Sequence, residues 1–197
     1  VVAISILAAA ACSNGGGANG AVGGGQGTLV YSPPELITNL DPDLQLPGVS
    51  GMYYASELYD TLTFIDGDLS VHPLLAKAWH VAEDKQGRYV EFQLQEGLTF
   101  PDGAPFNAET VAANVKRSQT LPGSRTASDL AGVVVQVVSD HVVRLRSENA
   151  ASLPALMGNN AGMMISQKAI TDHVNLAEKP AGIGMFLLKS VRGNTVS

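Results

Sequence analysis

One cysteine in 197 residues leaves no partner for an internal disulfide. The chain must therefore fold on burial alone, which its length allows. Aromatic residues make up only 6%, and no apolar run reaches the roughly 20 residues that a membrane-spanning helix needs. Charge is missing from the whole first stretch, Glu35 being the first charged residue, and no Lys or Arg lies between Glu35 and Asp68. With 12 basic against 18 acidic residues the net charge is −6, which argues against nucleic acid and anionic membrane as partners. Both need basic side chains to displace counterions.

Motifs for catalysis are missing too. No phosphate loop of the Gly-Lys-Ser/Thr kind and no Gly-x-Ser-x-Gly elbow occurs. Gly182-Ile183-Gly184 has the start of a dinucleotide loop, but Leu187 stands at the third glycine position, and a strand rather than a helix is expected to follow. His72, His80, His141 and His173 show no metal-ligand spacing, so no metal and no cofactor is expected, and the reading is of a protein that is not an enzyme. The seven acids between Glu35 and Asp68 lack the Asp/Asn/Gly alternation of a calcium loop and read as an acidic, solvated face.

What is present begins with residues 1–11, VVAISILAAAA, apolar apart from Ser5 and closed by small side chains immediately before Cys12. Eleven such residues match the apolar core of a secretion signal. Ala9-Ala10-Ala11-Cys12, after Leu7 and Ala8, resembles a permissive lipobox, which implies cleavage before Cys12 and lipidation of its sulfur. No initiator Met and no basic segment precede Val1, so the expectation is that the reading frame starts further upstream. Residues 13–27 hold 8 of the 21 glycines and read as a flexible tether, about 20 Å long by random-coil scaling.

Beyond the tether the pattern is mixed. Thr28–Ser32 reads as a strand stopped by Pro33-Pro34. Ser50 is expected to cap a helix over Met52–Leu62, with Met52, Ala55, Tyr59 and Leu62 near one face, followed by a strand at Leu62 and Phe64 and a turn at Asp66-Gly67-Asp68. Arg88–Gln95 alternates strictly, with Val90, Phe92 and Leu94 on one face. Pro101-Asp102-Gly103 makes a turn, and Asn107 caps a helix through Lys116, with Glu109 at its positive end and Lys116-Arg117 at its negative end. Val133–Val138 and Val142–Arg146 read as a hairpin. A short helix near Leu153–Met157, a strand around Met163–Ile165, a helix over Gln167–His173 and a last strand over Phe186–Val191 complete the reading. Strands and helices mix without regular alternation, which favours an α+β class over a doubly wound sheet.

In their order, Leu58-Tyr59-Asp60-Thr61-Leu62, Pro73–Trp79, Tyr89–Leu94 and above all Gly97–Val111 (GLTFPDGAPFNAETV) resemble the solute-binding proteins of oligopeptide, dipeptide and nickel ABC importers. That family's usual Pro-x-Gly-Thr-Gly-Pro-Tyr/Phe is met here by Pro180-Ala181-Gly182-Ile183-Gly184-Met185-Phe186, which lacks the Thr and the second Pro. The resemblance implies part of a two-lobed, type II periplasmic-binding-protein-like clamp. Residues 28–48 and 178–197 would belong to the first lobe, 49–177 would be an inserted α+β subdomain, and the second lobe would lie beyond Ser197. Such a piece alone is expected to bind weakly or not at all.

It further implies a monomeric substrate-binding lipoprotein, anchored outside the membrane, that hands a peptide or related small solute to permease subunits. An alternative is a surface lipoprotein that uses the same scaffold for sensing or partner contact without transport. By position after the first strand, Tyr31, Ser32 and Pro33 are the ligand-binding candidates. No His or Arg falls among them, so a nickel ligand gains no support there.

Overall fold

The computed structural model describes residues 39–45, 49–192 and 195–196, with side chains for 39–45 and 54–190. The expected strand at Thr28–Ser32, Cys12 and the tether lie outside these residues. Twelve helices and strands are named here, in chain order. They are α1 (Val49–Leu58), β1 (Thr63–Ile65), β2 (Val71–Pro73), β3 (Ala76–Asp84), β4 (Gly87–Leu94), α2 (Ala108–Thr120), β5 (Val134–Ser139), β6 (Val142–Arg146), α3 (Leu153–Leu156), α4 (Gln167–Thr171), β7 (Val191–Arg192) and β8 (Thr195–Val196).

The centre is a four-stranded antiparallel sheet in the order β3-β4-β6-β5. Its inner face carries Val90, Phe92 and Leu94 of β4 and Val143 and Leu145 of β6, all fully buried. Helix α2 packs on that face through Val111 and Val115. Alternation and β-branched residues thus produce the strands and hairpin where expected. Asn107 caps α2 by accepting from the Thr110 N–H at 3.0 Å. The helix runs one turn further than its sequence suggested, to Thr120.

The structure departs from the sequence reading in five places. Helix α1 starts at Val49, so Ser50 is helical and is not its cap. It ends at Leu58, because Thr61 leaves the helical path to bridge Met163 and Leu62 enters the sheet core, while Ala55 and Tyr59 pack in another cluster. The longest strand, β3, carries no strict alternation (AKAWHVAED) and exists through its pairing with β4 from Ala76↔Leu94 to Asp84↔Gly87. Met163–Ile165 makes single bridges, Thr61↔Met163 and Ile165↔Gly182, rather than a strand. Phe186–Ser190 forms no ladder, pairing beginning only at Val191.

Buried apolar side chains divide into two clusters. The larger fills the space between the sheet, α2 and α3 and includes Leu62, Phe100, Phe106, Met157 and Met164. The smaller gathers Leu40, Ala55, Leu58, Tyr59, Met163, Ile165, Ala169 and Leu176.

Candidate functional site

Cys12, Tyr31, Ser32 and Pro33 all lie outside the described residues, so their surroundings stay expectations. The described part contains a polar assembly that the sequence did not announce, a short way along the chain from Pro33. Asp41 and Asp43 are 4% and 3% exposed, so two of the seven acids expected on a solvated face are interior carboxylates, while Glu57 and Asp68 are exposed as expected. The compensating charge is Arg117, near the end of α2. Its guanidinium donates to both oxygens of Asp41, Nη1 to Oδ1 at 3.1 Å and Nη2 to Oδ2 at 2.5 Å, and Nη1 also donates to Asp43 Oδ2.

The Oδ1 atoms accept further hydrogen bonds. Asp43 Oδ1 accepts from Ser118 Oγ at 2.7 Å and Thr126 Oγ1 at 2.8 Å, while Asp41 Oδ1 accepts from the Asp43 N–H at 3.1 Å. Burial by itself would lower the Arg117 pKa, but Asp41 and then Asp43 outweigh it and hold the guanidinium above its ordinary value. A buried, bidentate arrangement of this kind positions the chain; both carboxylates are turned to Arg117 and away from solvent. It straps Asn39–Gln45 onto α2, helped by the Arg125 N–H donating to the Asp43 carbonyl at 2.7 Å and the Leu40 N–H to Ala177 at 3.2 Å.

Two neighbouring groups carry shifted protonation. The Tyr59 hydroxyl is buried beside the main chain of Ala181 without a well-formed hydrogen bond, and burial, then the Asp41 charge, pushes its pKa above the usual phenol range. Asp60 is half-buried, and burial raises its carboxyl above the ordinary 3.8. A raised acid pKa means that the folded state holds its proton more tightly than the unfolded state does. Stability is then lost as pH rises from the unfolded value through the folded one. We expect Asp60→Asn to be more stable than the parent at neutral pH and to lose that advantage below about 3.8, as read from urea melts across pH.

The Gly97–Val111 stretch is a single folded unit. Gly97 and Gly103 have φ of 73° and 82°, Thr99 bridges Pro105, and the Phe100 and Phe106 rings meet edge to face at 6.4 Å. Asp102 has two tasks: Oδ1 accepts from the Ala104 N–H at 3.0 Å to close the turn, and Oδ2 accepts from Ser166 Oγ at 2.5 Å. Ser166 in turn caps α4. One helical turn beyond Thr110, Asn114 stands in for a strand, donating to the Ile165 carbonyl at 2.8 Å and accepting from its N–H at 2.9 Å. Replacing Asn114 by Ala orphans both main-chain groups in a buried place. The expected loss is about 2–4 kcal/mol, read by denaturant melts, taking about 1–2 kcal/mol for each orphaned group.

The two glycines that had the start of a dinucleotide loop have a packing role. A Cβ on Gly182 would lie 2.0 Å from the Leu58 carbonyl oxygen and 2.4 Å from the Tyr59 ring, and one on Gly184 would lie 2.5 Å from the Leu58 carbonyl carbon. Here the chain passes directly over the end of α1, with the Gly184 N–H donating to the Leu58 carbonyl at 3.0 Å. Among the described residues, no group of three or more His, Cys, Asp or Glu is placed to hold a metal ion.

The architecture, an antiparallel α+β body tied to the Asn39–Gln45 strap and the crossing at Gly182, is that of one lobe region of a type II periplasmic binding protein. Its solved likenesses include MoaA of A. tumefaciens R10 in complex with mannopinic acid, at a TM-score of 0.72, 23% identity, 82% of this chain and 34% of that one. A dipeptide-binding protein of Pseudoalteromonas sp. SM9913 in complex with Met-Leu matches at a TM-score of 0.69 and 25% identity, over 85% of this chain and 38% of that one. The model of bacterial extracellular solute-binding proteins, family 5 Middle, matches residues 70–196, and the chain belongs to that family. The nickel-binding periplasmic protein of Escherichia coli (strain K12) is 28% identical over 167 residues, which are 82% of this chain and 31% of that protein. The chain thus spans about a third of the length of the relatives it matches.

Proposed function

We propose that the chain is part of the solute-capturing component of an ABC importer, working outside the cytoplasm and binding rather than transforming its cargo. The observation that carries this reading is the family match over 70–196, which includes the whole Gly97–Val111 unit described above. A peptide is the favoured cargo: the dipeptide-binding relative supports it, and an extended peptide held largely through its main chain asks little of side-chain identity. Tyr31, Ser32 and Pro33 are the proposed contacts, with Tyr31 able to stack and to donate a hydrogen bond. Residues 28–48 and 178–197 are assigned to the first lobe and 49–177 to the inserted subdomain. Cys12 is the proposed lipid attachment, with 13–27 as the tether between membrane and body.

A second reading, a nickel complex as cargo, is favoured by the 28% identical nickel-binding relative. Calorimetric titration of the longer protein with dipeptides and with a nickel salt separates the two. Heat with dipeptides supports the first reading, heat with nickel alone supports the second, and no heat with either overturns both. The anchor has its own test. Cys12→Ser is expected to move the protein from the membrane fraction to the medium, and unchanged retention would refute lipidation.

A further inference from the structure

Polar atoms that are buried and unmatched mark three side chains among the described residues: the Tyr59 hydroxyl, the His141 Nδ1 and the amide of Gln45. Gln45 differs from the other two in that a donor, Nε2, and an acceptor, Oε1, are both unspent, on a residue only 4% exposed. Such groups have given up water and received nothing in return, which native interiors seldom allow. The main chain beside Gln45 is held in place too. Gln45 closes the strap, where the Leu44 N–H donates to the Asp41 carbonyl at 3.2 Å, the Arg125 N–H donates to the Asp43 carbonyl, and both carboxylates hold Arg117. The fold itself shows how a primary amide is satisfied. Asn114 donates to the Ile165 carbonyl at 2.8 Å and accepts from the Ile165 N–H at 2.9 Å, so that one side chain matches one residue of extended main chain. Gln45 carries the same donor and acceptor, and no main chain is set against them among the described residues.

We propose that Gln45 is a cargo-binding residue whose amide pairs with one residue of an extended peptide, Nε2 donating to that residue's carbonyl or carboxylate oxygen and Oε1 accepting from its N–H. The proposal rests on the peptide reading above and extends it by naming a group that reads main chain. Only a ligand with a donor and an acceptor spaced as in an extended residue satisfies both amide atoms at once. A bare metal ion would leave Nε2 without an acceptor. Side-chain identity does not enter, so the contact selects an extended conformation and an amide N–H rather than a sequence. At 4% exposure the amide is covered, and cargo reaches it by displacing the groups that cover it, which is an induced fit.

The test is calorimetric titration of the longer protein with the dipeptide Met-Leu and with its depsipeptide, in which an ester oxygen replaces the N–H. The parent should bind Met-Leu at least about tenfold more tightly than the ester, the factor expected for one buried hydrogen bond. Gln45→Leu has nearly the same volume and no polar atom, so its thermal melt should match or exceed that of the parent. It should bind Met-Leu at least about tenfold more weakly than the parent and no longer distinguish the ester. A Gln45→Leu protein that binds Met-Leu as the parent does, or that prefers it to the ester just as strongly, overturns the proposal and leaves the peptide reading standing. So does one that melts well below the parent, since the amide would then be serving the fold. If the parent gives no heat with Met-Leu or any other dipeptide, the peptide reading falls and this proposal falls with it.

Discussion

Replacing Arg117 with Ala is expected to cost about 3–5 kcal/mol, because it leaves two interior carboxylates, Asp41 and Asp43, without their counter-charge. For a chain of this size each kcal/mol lowers the melting temperature by roughly 2–4 °C, so a fall of about 6–20 °C should appear in a thermal scan. Arg117→Lys keeps the charge but cannot reach both Asp41 oxygens and Asp43 together, and should fall between the parent and the Ala variant. The pH sign follows from the raised Arg117 pKa. Stability from a base whose pKa is raised on folding is present in full below its unfolded value and is lost only as pH climbs through the folded one. Both values lie far above neutrality, so the contribution of Arg117 itself should stay flat through the neutral range. If Arg117→Ala melts with the parent, the strap is ornamental and the assignment fails.

Gly182→Ala should be of similar severity for an unrelated reason. The added methyl would sit 2.0 Å from a main-chain oxygen at the end of α1 and 2.4 Å from the buried Tyr59 ring, so main chain itself has to shift. Overpacking commonly costs 1–3 kcal/mol; with backbone as the obstacle we expect about 3 kcal/mol or more. Gly67→Ala is the control, since a Cβ there meets nothing within 4 Å and the φ of Gly67 is not in the left-handed region. Its melt should match the parent to within about 0.5 kcal/mol.

What could be read from the sequence was local. β4, the β5–β6 hairpin, the Asp102-Gly103 turn and the Asn107 cap rest on alternation, β-branching and spacing over a few residues, and all stand in the structure. What could not be read depends on partners far along the chain. Asp41 and Arg117 are 76 residues apart, so no spacing rule links them, and the acidic run looked solvated for want of any nearby base. The absence of Lys and Arg from that whole stretch was itself a signal: acids with no local base must find a distant one or face water. β3 was missed because Ala, Lys, Glu and Asp are depleted in strands, and only the neighbouring β4 ladder makes the segment a strand. The boundary of α1 and the lack of a strand ladder over Phe186–Ser190 have the same origin in contacts made elsewhere, the Phe186 N–H donating to the Glu57 carbonyl. The candidate ligand residues Tyr31, Ser32 and Pro33 rest on their place in the chain and on the family resemblance.

Residues Met163–Ser166 tie together segments that lie far apart in the chain. Met163 bridges Thr61, the Met164 N–H donates to Asp60, Ile165 is held by Asn114 and bridges Gly182, and Ser166 binds Asp102 and Ala181. Met163 and Ile165 point into the smaller cluster and Met164 into the larger one. Because alternate side chains of one extended segment serve two interiors, neither interior can melt while the other stays whole. Heat should therefore dissolve both in a single transition. Since the ties span from Asp60 to Gly182, that segment should be among the last to settle when the chain refolds.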